Sequence, residues 1–234
     1  MRGPMHSHQQ PAIAYLGSSA DASFPAILVF GREYNNNSAH RVRGLGEYCF
    51  RCSPRSLFWN RTYRLAARIS GHQDFKAACI ARNQSPIMFS NVLPQPIPNA
   101  LSASEKGRLR ARIRPDALAQ HIDGIFSMDS VIRRVRLVIL SGVDDAVFRP
   151  GVAKIREHCE QHKVTVREIA YLGSRQRSKA IETGFPERHR RRMRAVIGAF
   201  HRARNNNTPE QIGCSRCSLP SAQRERYALR SRRG

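Results

Sequence analysis

The chain has 234 residues, room for one large domain or one and a half ordinary ones, and 41% of them are hydrophobic, enough for a core. Lys and Arg number 40 against 17 acidic residues, a formal charge of +23, and 35 of those cations are Arg. No segment reaches the ~18 apolar residues of a membrane span, and the polar stretch Met1 to Gln10 lacks the apolar run of a secretory signal. These exclusions point to a cytoplasmic location, with contact to an anionic membrane surface at most peripheral.

Residues 1–24 read as a weakly structured leader. Pro25 to Phe30 is a short apolar run bounded by Pro25 and Gly31, which suits a buried parallel strand. Ser38, after three Asn, is placed to cap a helix over Ala39 to Phe50. Residues 61–82 carry apolar positions at rough helical spacing, broken at Gly71. Pro86 to Ser90 is the next strand, and Pro94, Pro96 and Pro98 then forbid helix. Ser102 with Glu105 starts a helix toward Arg112, which resumes from Pro115 to His121.

Ile122 to Ser127 is expected as a short strand and Met128 to Arg134 as a brief helix. Val135 to Leu140 is the clearest strand in the chain. A helix over Val152 to His162 and a strand over Val166 to Leu172 follow. Such alternation predicts an α/β protein: a Rossmann-like parallel sheet with helices on its faces. Arg188 to Arg204 holds seven Arg and no acid, and residues 186–234 read as a basic, solvated, partly disordered tail.

Two segments carry a resemblance. Asp123 to Arg134, then Ile139-Leu140-Ser141-Gly142-Val143-Asp144, then Phe148-Arg149-Pro150, resembles the interdomain region of retaining glycosyltransferases of the GT-B fold. Tyr171-Leu172-Gly173-Ser174 with Lys179 to Glu182 resembles the first strand and loop of that family's donor-binding domain. The resemblance implies an acceptor-side domain over 25–140 and a hinge at Gly142 and Asp144. It implies the start of a donor domain over 141–185, cut short, since only about sixty residues follow Gly173. It further implies hexose transfer from a UDP- or GDP-sugar to a hydroxyl acceptor, with no metal or other cofactor. The catalytic residue is not specified, and Ser174 and Ala180 stand where the family has Arg and Gly.

The physics of that loop does not depend on the family. A strand ending at Gly173 lets the backbone approach a ligand, and the following helix start favours an anion. Gly173, Ser174, Arg175, Arg177 and Lys179 are the expected diphosphate-binding residues. Cations there would stabilise the charge that builds on a departing diphosphate.

A second function class competes. Residues 164–183 also read as a helix-turn-helix with an Arg-rich second helix, which would make the chain a nucleic-acid binder. Cys49-x-x-Cys52 and Cys214-x-x-Cys217 each match half of a zinc ribbon, but their separation favours two unrelated pairs. His158 and His162 lie four apart on a helix with no third ligand in view, which suits a solvated face. No metal site is therefore expected.

Overall fold

The apolar runs at 26–31 and 135–141 lie side by side in the middle of one sheet. The computed structural model describes residues 13–16, 22–32, 45–48, 57–94, 97, 101–172 and 184–203. Six strands appear among them: β1 (Ile13–Leu16), β2 (Ala26–Gly31), β3 (Leu45–Tyr48), β4 (Ile87–Asn91), β5 (Val135–Ser141) and β6 (Thr165–Ile169). Their order across the sheet is β3-β1-β4-β2-β5-β6. β4, β2, β5 and β6 run parallel. β1 meets β4 antiparallel and carries β3 parallel on its far side. The α/β class and the largely parallel sheet are as expected; the antiparallel join is an addition.

β2 is buried along its whole length, and β5 everywhere except Arg136. That is the pattern of strands covered on both faces. Alternate residues point to opposite layers. Ile27, Val29, Leu137 and Ile139 face α1 (Leu57–Ser70), α2 (Phe75–Arg82) and α7 (Glu187–Arg202). Leu28, Phe30, Val138 and Leu140 face α4 (Pro115–Phe126), α5 (Asp129–Ile132) and α6 (Arg149–Gln161). α3 (Ala103–Ala111) buries no residue and starts with a capping box, in which Ser102 and Glu105 satisfy each other's backbone N–H. Gly71, at φ +81°, ends α1 where the sequence places the break.

Several expectations need correction. Residues 13–16 of the expected leader form β1. Leu45–Tyr48 is a strand rather than the end of a helix, consistent with the low helix propensity of Gly44 and Gly46. Ile122 to Ser127 belongs to α4 and its C-cap, because Leu118, Ile122, Ile125 and Phe126 form one buried helical stripe. Part of the expected tail is α7, whose Met193, Val196, Ile197 and Phe200 recur at helical spacing and are buried. The abundant Arg between them masks that stripe.

The expected boundary after residue 140 falls inside the sheet. α6 returns the chain to the edge of β5, and β6 pairs along it from Leu137 opposite Thr165 to Ser141 opposite Ile169. Gly142 and Asp144 therefore sit in the connection between two neighbouring strands of one sheet. The same pairing removes the first helix of the alternative helix-turn-helix.

Candidate functional site

Taken in chain order, the four parallel strands β2, β4, β5 and β6 lie in the order second, first, third, fourth. Neighbours β2 and β5 thus send their outgoing chains to opposite faces: β2 to the α1 layer, β5 to the α6 layer. Such a reversal opens a crevice beyond the carboxyl ends of the two strands, where doubly wound sheets bind ligands.

Three side chains frame the crevice from the β2 and β4 side. At Gly31, a Cβ would come within 2.7 Å of the Asn91 Oδ1 and 3.4 Å of the Phe58 ring, so a larger residue there would displace the Asn91 amide. Arg32 follows. Its Nη2 donates to Asp145 Oδ2 at 2.7 Å and lies 4.0 Å from Asp144 Oδ1. Its guanidinium carbon sits 5.6 Å from the centroid of Phe148 and 5.7 Å from that of Tyr171. The Arg32 Nε is buried and meets no hydrogen-bond acceptor among the described residues. Asp144, by contrast, has a side chain 89% exposed.

The β5 and β6 side is fixed by a buried hydroxyl. Ser141 Oγ accepts the Leu172 N–H at 2.9 Å, and the Gly142 N–H donates to the Ile169 carbonyl at 2.9 Å. Gly142 has φ +68°, and a Cβ there would stand 2.5 Å from the Tyr171 Cβ. The turn is thus locked against Tyr171, whose ring stacks on Phe58 at 6.1 Å. Arg61 Nη1 donates to the Leu172 carbonyl at 3.0 Å and holds the chain as it leaves β6.

Of the residues expected from sequence, Gly142 and Asp144 lie at this edge. Gly173, Ser174, Arg175, Arg177 and Lys179 follow Leu172 directly in the chain but lie outside the described residues, as do the Cys49/Cys52 and Cys214/Cys217 pairs. Sequence reasoning missed Arg32 and Asn91. Arg32 is one of 35 Arg, and only its place just after an apolar strand distinguishes it.

Elsewhere, His158 is not simply solvated: it stacks on Phe126 at 4.6 Å and bonds Asp123 through Nε2 at 2.6 Å, tying α6 to α4. Cys79 and Cys159 are buried free thiols. Burial pushes the Cys79 thiol far up and the Cys159 thiol up to about 12, which makes both poor nucleophiles. Among the described residues, His72, Asp74 and His201 bring three metal-ligating side chains together. Among the described residues no helix is long and apolar enough to cross a membrane.

No protein-family model matches the chain, and neither a curated protein nor a solved structure matches it.

Proposed function

We propose that the carboxyl edge of the sheet binds a nucleoside diphosphate, and that a UDP- or GDP-sugar serves there as glycosyl donor. The supporting observation is Arg32, a guanidinium that lies over two aromatic rings and beside Asp145 at the β2/β5 reversal. A guanidinium offers its N–H groups to phosphate in a fork, and partial desolvation strengthens the pairing. Asp144, exposed beside it, offers acceptors for sugar hydroxyls. The nucleotide-sugar form of the ligand comes from the sequence resemblance around Gly142 and Lys179.

In the transfer, the bond from the sugar to the diphosphate breaks and a bond to the acceptor oxygen forms, while the acceptor hydroxyl's proton passes to the departing diphosphate oxygen. Arg32, with Lys179 and the Arg of its loop, stabilises the charge that remains on the diphosphate. UDP, GDP and UDP-glucose test the reading by thermal shift on the full chain. Ligand at a hundredfold excess over Kd should stabilise by about 2.7 kcal/mol. Arg32→Ala should abolish the shift relative to the variant's own ligand-free melting, which falls somewhat because the Asp145 pair and the contacts over Phe148 and Tyr171 are lost. If no nucleotide stabilises the wild type, the proposal fails.

One observation favours the second reading, nucleic-acid binding. The Arg run folds as α7, whose buried stripe leaves Arg188, Arg191, Arg192 and Arg202 exposed together with the chain's charge excess. Binding through that surface would fall with salt, and replacing Arg188, Arg191 and Arg192 by Gln should reduce the log–log salt slope by about three. An unchanged slope would remove α7 from the interface.

A further inference from the structure

We infer that His72, Asp74 and His201 form a binding site for a divalent transition metal such as Zn2+, which pins the end of α7 to the α1–α2 connection. The ligand atoms of the three residues all lie within 4.8 Å of one another. Tetrahedral zinc, with bonds of roughly 2.0–2.1 Å, needs ligand atoms roughly 3.4 Å apart, so small side-chain rotations close the set. Two imidazoles and one carboxylate are a donor set that zinc and its first-row neighbours accept, and a fourth position stays open to water.

Each ligand is available. The His201 Nε2 is buried and has no hydrogen-bond partner among the described residues. Asp74 stands at the N-cap of α2, yet its side chain makes no capping bond. The His72 ring stacks on that of His201, with centroids 4.1 Å apart and planes 18° apart. Arg82 is the nearby cation that opposes a metal. Its guanidinium is directed instead at the carbonyls ending α7, donating to Phe200 at 2.7 Å and Ala203 at 3.2 Å.

The site lies far from the proposed ligand edge. Phe58, near the start of α1, packs at Gly31 on the carboxyl edge, whereas His72 follows the far end of that 14-residue helix, about 21 Å along its axis. The metal would therefore act as a cross-link rather than as part of the donor chemistry. Sequence inspection does not find it, because its ligands come from a loop and a helix far apart in the chain.

The test separates this set from the Cys pairs. Zn2+ and Co2+ are titrated into the full chain with Cys49, Cys52, Cys214 and Cys217 replaced by Ser. The expected result is one bound equivalent, a rise in Tm, and a Co2+ visible spectrum without a thiolate charge-transfer band. His72→Gln, and separately the exposed Asp74→Asn, should keep the metal-free Tm and lose at least tenfold in affinity. Absence of a metal-induced Tm rise in the Cys-free chain overturns the site, as does binding that survives both replacements.

Discussion

Gly142 and Gly71 both adopt positive φ, at +68° and +81°, but their surroundings differ. Nothing lies within 4 Å of a Cβ built at Gly71, whereas at Gly142 that Cβ collides with the Tyr171 Cβ and backbone. Gly71→Ala should cost only the left-handed backbone penalty, about 1–2 kcal/mol. Gly142→Ala should cost more, about 3 kcal/mol or above, because Tyr171 must also move away from Phe58. Urea midpoints at equal slope measure both, and equal losses would show that the turn after β5 is not locked by Tyr171. At this scale the site was half legible. Gly142 and Asp144 stand out because an apolar strand ends just before a Gly and two Asp. Arg32 does not, since what distinguishes it is the pair of rings it meets, and Phe148 and Tyr171 reach it only through the fold.

At the level of elements, strands and helices were readable where one pattern dominated. β2, β4 and β5 are apolar runs with clear ends, and the Ser102–Glu105 box marks the start of α3. The reading failed where composition obscured periodicity. Ile122, Ile125 and Phe126 suggested a strand, although their spacing from Leu118 is helical. In α7 the Arg residues hid the stripe that packs into the core, where Phe200 meets Phe24, just before β2, at 5.3 Å and Phe75 of α2 at 5.9 Å. If α7 is a core element and not a tail, Phe200→Ala should destabilise by about 3–5 kcal/mol, while Arg192→Ala changes stability by less than about 0.5 kcal/mol. Chemical denaturation checks the pair, and a silent Phe200→Ala would detach α7 from the core. α3 offers the opposite test. Gly107 lies within it with open space around its Cβ position, so Gly107→Ala should stabilise by about 0.5–1 kcal/mol.

Across the whole molecule, a charge of +23 makes protonation of any interior group add to an existing repulsion. Two histidines couple the layers to pH. His121 of α4 donates Nε2–H to the Asn91 carbonyl at the end of β4, and His189 of α7 donates Nε2–H to the Val166 carbonyl of β6. Burial holds both below the ordinary value of 6.5. The Asn91 carbonyl opposes this at His121, as the Val166 carbonyl does at His189, where Arg188 and Arg167 add a further downward push. The His189 Nδ1 is buried with no acceptor among the described residues, so a proton there would be both charged and unbonded. The sign follows from the lowered folded values. Well above 6.5 neither state binds these protons, and the histidines contribute nothing to a pH dependence. As pH falls through 6.5 the unfolded chain takes them up first, so stability declines until pH drops below the folded values, after which the loss is constant. Between about pH 7.5 and pH 5.5, above the range where most carboxylates titrate, the urea midpoint of the wild type should therefore fall. In a His121→Gln, His189→Gln variant, whose amides can still donate to the two carbonyls, the midpoint should fall clearly less over the same interval, the remaining decline coming from His201, which burial also holds below 6.5. A variant that loses stability as steeply as the wild type would place the acid sensitivity elsewhere in the chain.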